Sequence, residues 1–314
     1  MVFFRYLKEE GKENNKMDYL VKFEEYLYYQ KHASSNTLQS YLRDVRSFLS
    51  YWNDKSDNSP IKEVTAVTLK RYLAHLEEEG KSRSTLMRVL ASLRCYFQFL
   101  TSEEAVCSDP TKEIHLDREE RKLPMILSEE EISLLLAQPE EEDLKGCRDK
   151  AMLELLYATG IRVSELVDLN VEDINLRQSL LLCRNGKSER SIPIYYEAVR
   201  AISNYMIKVR NGMQLHSDSG HALFLNLNGR RLTRQGFWKI VKEYAQKANI
   251  QKEITPHTLR HSFAIHLLQN GAQLRDIQEM LGHADISTTH LYSRMMDGHC
   301  QQVYQECHPR AKAR

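Results

Sequence analysis

Residues 254–268 read ITPHTLRHSFAIHLL and predict one amphipathic helix. Thr255 suits the N-cap, Pro256 suits the first helical position, and Gly271 ends the segment. Arg260 falls in the first turn, where exposed backbone N–H groups already carry partial positive charge and disfavour a cation. The basic members of the segment are His257, Arg260, His261 and His266. The pattern raises the hypothesis that a negatively charged group absent from the sequence lies here.

A second arginine occupies a helix start in LLYATGIRVSEL, residues 155–166. Gly160 interrupts one predicted helix and Arg162 begins the next. One interpretation is that each arginine pairs with a nearby carboxylate, such as Glu165 or Asp149. The alternative is that both guanidinium groups, with helix N-terminal amides, bind a phosphate. The residues alone leave both interpretations open.

The histidines of residues 254–268 have two further interpretations. His257 precedes Arg260 by three residues and so shares its helix face, where it could transfer a proton beside a bound phosphate. His257 and His261 also have the i, i+4 spacing of a zinc pair. The intervening Glu of H-E-x-x-H is missing, however, and no cysteine cluster supplies other ligands. We expect His261 and His266 to pack or cap locally.

Further along, QEMLGHADISTTHLYSR, residues 278–294, places His283 after a glycine-terminated helix and Tyr292 on a short following helix. Alone, Tyr292 would more often be a core or surface aromatic, since the chain has 16 tyrosines. A catalytic role for Tyr292 is favoured because it is the last of a series of candidates that occur together in a fixed order along the chain. The titratable candidates follow one another as Arg162, the hairpin residue Lys187, His257, Arg260, His283 and Tyr292.

Composition sets the class of protein. The length of 314 residues suggests about two domains. The 44 Lys and Arg residues balance 43 Asp and Glu, which neither indicates nor excludes nucleic acid, because phosphate binds to a local basic surface. The apolar runs fall short of a membrane span, the start lacks a secretory h-region, and six scattered cysteines argue against a disulfide framework or zinc ribbon. We expect a cytoplasmic protein with reduced cysteines.

Hydrophobic periodicity predicts a mainly α fold in two parts. Four helices fill residues 17–100, and a charged stretch with Pro110 and Pro124 reads as a linker. SLLLCRNGKSERSIPI predicts a β-hairpin that turns at Asn185-Gly186. The apolar stripe of the second helix comprises Leu38, Tyr41, Leu42, Val45, Phe48 and Leu49. The second part starts with SEEEI, where Ser128 and Glu131 have the spacing of a capping box. The helices expected after it lie near 146–159, 162–169, 195–210, 233–248, 256–270, 273–281 and 287–296.

These motifs, with the terminal HPRA at 308–311, resemble the tyrosine site-specific recombinases, specifically the bacterial XerC/XerD group. The resemblance runs from about Met17 to Ala311. It implies a core-binding, SAM-like four-helix DNA-binding domain at 17–108, a linker at 109–124, and a mostly helical catalytic domain with a small antiparallel sheet at 125–314. The two would form a C-shaped DNA clamp. Residues 1–16 form an N-terminal extension, and Met17 could be the functional start.

The resemblance implies covalent chemistry at DNA. Tyr292 would attack a phosphodiester, forming a 3′-phosphotyrosine bond and freeing a 5′-hydroxyl. Arg162 and Arg260 would hold the nonbridging oxygens and neutralise charge in the transition state. No cofactor or metal is expected, since the arginines supply the cationic charge.

The remaining catalytic roles also follow from the resemblance. His257 would assist proton transfer from Tyr292, His283 would orient the phosphate or the tyrosine, and Lys187 would protonate the departing 5′-oxygen. An ungapped match expects that lysine at the position of Ser188, so a shifted turn is needed. The usual Thr-His after the tyrosine is Ser293-Arg294 here, which affects detail and not the class.

Candidate DNA-contact residues open two predicted helices. A charged, solvated helix face is an equally good interpretation for any one of the first set, whereas Arg and Gln of the second can read guanine and adenine in the major groove. The first set is Lys81, Arg83, Ser84 and Arg88, and the second is Arg234 and Gln235.

The resemblance further implies partners and a biological role. The chain would act on double-stranded DNA at a dif-like site, in a tetramer formed with copies of itself or with a paralogous recombinase. An FtsK-like DNA translocase would act with it, and the complex would resolve chromosome dimers at the nucleoid. The segment from about Cys300 would dock on a neighbouring subunit in a ring. The alternatives are an integrase or resolvase of a mobile element, a non-catalytic DNA-binding protein and a zinc-dependent hydrolase.

Overall fold

The computed structural model describes residues 14–56, 59–117, 124–185, 188–213, 219–255 and 257–282. The chain divides into two compact units, Met1–Arg121 and Lys122–Arg314. Within the described ranges, the first unit is helical and the second contains helices around a small sheet. The expected fold class, mainly α with a small antiparallel sheet, is confirmed.

The first unit contains the four expected helices. They are α1 (Asn14–Glu25), extended by a π-helical turn at Tyr26–Gln30, α2 (Ser35–Ser56), α3 (Ala66–Glu78) and α4 (Arg83–Ser102). Three of these helices are N-capped by hydroxyl side chains. Those of Ser34, Thr65 and Ser82 each accept a hydrogen bond from the backbone amide three residues later. The core is aromatic: Phe23, Phe48, Tyr72, Tyr96 and Phe97 are almost fully buried.

The second unit contains seven helices within the described ranges. They are α5 (Glu129–Ala137), α6 (Leu144–Thr159), α7 (Val163–Asp168), α8 (Tyr196–Lys208), α9 (Arg234–Lys247), α10 (Thr258–Gln269) and α11 (Leu274–Leu281). The predicted capping box of α5 is present, with Ser128 and Glu131 exchanging hydrogen bonds. The buried face of α6 packs on α8 and α10, which brings the start of α7 toward α10. The predicted helix near 287–296 lies outside the described residues.

The sheet is antiparallel, in the order β1 (Ile174–Asn175), β2 (Leu180–Asn185) and β3 (Ser188–Pro193). β2 and β3 form the predicted hairpin, but β2 extends one residue further than predicted. Asn185 pairs with Ser188 and therefore ends a strand, whereas the prediction placed Asn185 in the turn. The strand pairing thus overrides the Asn-Gly preference, which is a local tendency only.

The helix predicted from residues 254–268 begins later than expected. α10 starts at Thr258, with His257 as its N-cap residue, whereas Thr255 was expected to cap it. Thr255 instead forms a turn before the helix, accepting the Thr258 backbone amide and donating its own amide to the Thr258 hydroxyl at 2.8 Å. Arg260 remains in the first turn, so the electrostatic argument is unchanged.

Two expectations from composition can be compared with the described residues. Cys95, Cys107, Cys147 and Cys183 are free thiols, and Cys300 and Cys307 lie outside the described residues. No helix in the described part of the chain is both long and apolar enough to span a membrane.

Candidate active site

Arg162 lies at the junction between two helices of the second unit. Gly160 ends α6 in the left-handed conformation (φ +59°), and Arg162 is the N-cap residue of α7. The Arg162 guanidinium donates to Glu165 Oε1 at 3.1 Å, and its backbone amide donates to Glu165 Oε2 at 2.8 Å. The ion pair between Arg162 and Glu165, one of the two interpretations open from the sequence, is therefore present. About a third of the Arg162 side chain stays exposed, so the guanidinium remains accessible.

Arg260 is buried and is oriented by backbone carbonyl oxygens. Only 4% of the surface of Arg260 is exposed. The guanidinium donates to the carbonyl of Gly160 at 2.6 Å and to that of Leu281 at 2.7 Å. These acceptors lie at the ends of α6 and α11, where carbonyls lack partners within their own helix. The fold therefore places Arg260 within the same cluster as Arg162.

Three arginines converge on the C-terminal end of α11. Arg190, Arg260 and Arg162 donate to three consecutive carbonyl oxygens at 2.8, 2.7 and 3.5 Å. The acceptors belong, in that order, to Met280, Leu281 and Gly282. A helix C-terminus carries partial negative charge and attracts cations. The end of α11 therefore gathers three guanidinium groups immediately before His283 in the sequence.

His257 and His261 lie beside these arginines. Burial, followed by the positive charges of Arg260 and Arg162, lowers the pKa of His257 below its usual value. Burial, followed by His257 and Arg260, lowers the pKa of His261 to about 4. The two rings are 6.1 Å apart between centroids. Both imidazoles are therefore neutral at pH 7, and neutral His257 can accept a proton.

Glu165 and Arg190 also belong to the site, although neither was predicted as a site residue from the sequence. Glu165 appears there only as one carboxylate near Arg162, and Arg190 is not singled out. Arg190 donates to Glu165 Oε2 at 2.9 Å. Burial alone would raise the pKa of Glu165, but hydrogen bonds and charge from Arg190 and Arg162 outweigh it and lower that pKa. Glu165 is thus a buried carboxylate held ionised between two arginines.

A signal for Arg190 exists in strand alternation. Ile192 and Ile194 are buried, while Glu189, Ser191 and Pro193 are exposed. Period-2 alternation therefore places Arg190 on the face of Ile192 and Ile194. An arginine on the buried face of a strand needs a partner, which points to a buried carboxylate.

His266 has the structural role expected of it. The residue is buried, and its Nδ1 accepts from the Tyr157 hydroxyl at 2.9 Å while Nε2 donates to the Leu127 carbonyl at 3.0 Å. These two bonds join α10 to α6 and to the segment before α5. His266 therefore supports the site without facing it.

Several predicted site residues lie outside the described residues. They are Lys187, His283 and Tyr292. In the part of the chain that the structure describes, no group of three or more His, Cys, Asp or Glu side chains is arranged to hold a metal ion.

The candidate DNA-contact residues differ in their surroundings. Arg88 donates to the buried carboxylate of Asp44 and to Ser40 Oγ at 3.1 Å, so part of its role is structural. Among the described residues, Lys81 and Arg83 make long ion pairs, to Glu79 at 3.7 Å and Glu77 at 3.9 Å. The other three, Ser84, Arg234 and Gln235, are exposed near the starts of α4 and α9.

Comparison with known families decides the class. Residues 125–299 match the phage integrase family, and residues 20–104 match the phage integrase N-terminal SAM-like domain. The chain belongs to the phage integrase family. It is a tyrosine recombinase, an enzyme that cleaves and rejoins DNA, as the predicted resemblance implied.

Individual relatives of this integrase-family chain cover nearly all of it. The tyrosine recombinase XerD of Halalkalibacterium halodurans is 43% identical over 292 residues, covering 92% of this chain and 97% of the relative. The XerD of Listeria monocytogenes is 39% identical over 295 residues, covering 94% and 99%.

Two solved structures are similar to the chain as well. The XerA recombinase has a TM-score of 0.53 at 27% identity and covers 93% of this chain and 98% of its own. The XerH recombinase bound to a palindromic difH substrate has a TM-score of 0.73 at 22% identity and covers 91% and 84%. At that identity, the XerH likeness concerns the integrase-family fold alone.

Proposed function

We propose that this recombinase exchanges DNA strands at a dif-like site and so resolves chromosome dimers. The observation that carries the proposal is the joint placement of Arg162, Arg260 and His257. Two guanidinium groups meet at one helix end beside a neutral imidazole. That arrangement suits a phosphodiester, which needs charge neutralisation and a nearby proton acceptor.

The proposed reaction is a transesterification at phosphorus. The Tyr292 hydroxyl oxygen attacks the phosphorus and passes its proton to His257. The bond from phosphorus to the 5′-oxygen breaks, and Lys187 protonates that oxygen, leaving a 3′-phosphotyrosine and a 5′-hydroxyl. Religation reverses these steps with another strand, and His283 orients the phosphate or Tyr292 throughout.

Arg162 and Arg260 have complementary parts in this proposal. Arg260 is fixed by two carbonyl oxygens, so little freedom is lost when the transition state forms. Arg162 keeps exposed surface and bonds weakly to Gly282 at 3.5 Å, so it can turn its remaining donors toward a nonbridging oxygen.

The biological setting rests on the relatives named XerD. We propose that residues 17–108 bind DNA, that residues 109–124 link them to the catalytic domain at 125–314, and that four subunits assemble on two sites. The segment from about Cys300 would join neighbours, and an FtsK-like translocase would act with the complex at the nucleoid in the cytoplasm. The DNA-contact roles of the residues at the starts of α4 and α9, and the clamp around DNA, remain predictions.

A covalent-adduct assay tests the function. The full chain is incubated in EDTA with a nicked duplex that carries a dif-like site, and denaturing gels are examined for a protein–DNA adduct. We expect an adduct with the wild type and none with Tyr292→Phe. Intact DNA binding without an adduct, both alone and with a paralogous recombinase present, would overturn the proposal in favour of a non-catalytic DNA-binding protein. Loss of an adduct only when EDTA is present would favour metal-dependent chemistry.

A further inference from the structure

Arg190 is a charged side chain placed inside the second unit without a role in the reaction described above. It lies on β3 opposite Cys183, and its side chain is 10% exposed. Its Nε donates to the Met280 carbonyl at 2.8 Å and one terminal nitrogen donates to Glu165 Oε2 at 2.9 Å. Burying a cation is costly unless it is paired and hydrogen-bonded. Both conditions are met here, by Glu165, which also contacts Arg162, and by the Met280 carbonyl, which precedes the carbonyl that Arg260 uses.

The Glu165 contact leads directly to Arg162. The carboxylate oxygen that accepts from Arg190 also accepts the Arg162 backbone amide, while the other oxygen accepts the Arg162 guanidinium. Arg190 therefore fixes the carboxylate that fixes Arg162. Without Arg190, Glu165 would remain buried with one partner fewer and would be held by Arg162 alone among the arginines that bond it here.

The second contact leads to Arg260 and to the chain before His283. Arg190 bonds the last turn of α11 at Met280, one residue before the carbonyl that Arg260 uses. Gly282, which ends α11, packs so closely on the Arg190 guanidinium that an added Cβ would lie 2.9 Å from Nη1. The fork of Arg190 thus joins the hairpin, the start of α7 and the end of α11.

We propose that Arg190 is a positioning residue for strand cleavage, holding Glu165 and the end of α11 so that Arg162 and Arg260 meet the same phosphate. The inference deepens the proposed function and rests on it. The two bonds that assign this indirect role are those to Glu165, which binds Arg162, and to the Met280 carbonyl, next to the carbonyl that Arg260 uses. The planar fork of arginine bonds two acceptors at once, which a lysine ammonium cannot reproduce with the same geometry.

The test measures cleavage separately from binding. Single-turnover adduct formation on the nicked duplex and DNA affinity are compared for the wild type, Arg190→Lys and Arg190→Met. We expect about a 10²-fold slower cleavage with unchanged affinity, because misplacing a catalytic group by about 1 Å costs that much. If Arg190→Met does not fold, Arg190→Lys, which keeps the charge beside Glu165, carries the test.

Arg210→Lys is the matched control. Arg210 is also buried and donates to two backbone carbonyls, those of Ala222 at 2.9 Å and Gly220 at 2.8 Å, but it has no bond to Glu165 or α11 among the described residues. Its loss should lower the melting temperature without slowing cleavage. Arg190→Lys should instead slow cleavage at temperatures where it remains fully folded.

A double-mutant cycle gives a result that a purely structural role would not. Adding Arg190→Lys to Glu165→Gln should slow cleavage by less than the product of the two single losses, since both disturb Arg162 through the same contact while only Arg190→Lys also loses the bond to Met280. Rate losses that multiply, or wild-type cleavage by both folded Arg190 variants, would overturn the inference alone. Failure of the wild type to form any adduct would overturn the proposed function and this inference with it.

Discussion

The guanidinium of Arg260 donates a 2.6 Å hydrogen bond to the carbonyl oxygen of Gly160. The bond crosses 100 residues of sequence and ends two residues before Arg162. It is possible because Gly160 turns the chain with φ +59° between α6 and α7, directing its carbonyl toward α10. Two arginines from distant parts of the sequence are thereby placed in one site by a single backbone turn.

Replacing Gly160 by alanine should destabilise the protein and impair cleavage. The left-handed conformation costs an alanine about 1–2 kcal/mol, and the added Cβ would lie 2.3 Å from Cδ1 of the Phe263 ring, so α10 must move. We expect a loss of about 2–4 kcal/mol in the free energy of unfolding. Denaturant titration measures it. Gly212→Ala is the control, because its Cβ would meet no atom within 4 Å; equal losses in the two variants would contradict the argument.

Replacing Arg260 by lysine should reduce cleavage far more than DNA binding. A lysine lacks the paired donors that span the Gly160 and Leu281 carbonyls, and it cannot hold a nonbridging oxygen as well. Removing one such transition-state donor typically costs about 10²–10³-fold in rate. Single-turnover adduct formation and gel-shift titration measure the two effects. A parallel loss of rate and affinity would mean that Arg260 binds the ground state equally well.

Arg88 should prove important for the stability of the first unit. It pairs with Asp44, whose side chain is 5% exposed and also accepts from Ser92 Oγ at 2.7 Å. Arg88→Met leaves a buried carboxylate with one partner fewer, which should cost roughly 1–3 kcal/mol. Thermal melts of the full chain measure the loss. Arg83→Met, which removes only a 3.9 Å pair with Glu77, should melt like the wild type; an equal effect would argue against a structural role for Arg88.

The helices were predictable because their periodicity is strong. In α2, four of the six predicted stripe residues are buried, and Leu38 and Tyr41 pack against the same core. The capping box predicted at Ser128 and Glu131 also forms, since a hydroxyl before an apolar repeat has a local physical role. These features depend on neighbours in sequence, which the sequence itself displays.

The parts of the site that were not predicted depend on distant contacts. The end of β2 at Asn185 is set by strand pairing, and the two carbonyl partners of Arg260 belong to residues whose side chains carry no signal. Arg190 shows its burial by alternation, but its partners come from α7 and α11. Periodicity indicates which face is buried and not what it meets there.

The pH dependence of cleavage should report His257. Burial and the charges of Arg260 and Arg162 lower its pKa below the ordinary 6.5, so the neutral, proton-accepting form persists to lower pH than in an unperturbed histidine. At subsaturating DNA, where the free enzyme's groups control the rate, cleavage should be constant from pH 8 to about 6.5 and should fall at lower pH as His257 becomes protonated.

A matched pair of variants assigns that acidic limb to His257. His257→Gln should slow cleavage and remove the limb, whereas His261→Gln should leave it in place, because the pKa of His261 is lowered further, to about 4. Both folded-state pKa values lie below the unfolded value, so the free energy of unfolding should also decrease as pH falls below about 6.5. Stability must therefore be measured at each pH. A limb centred above pH 6.5, or one that persists in His257→Gln, would exclude neutral His257 as the proton acceptor.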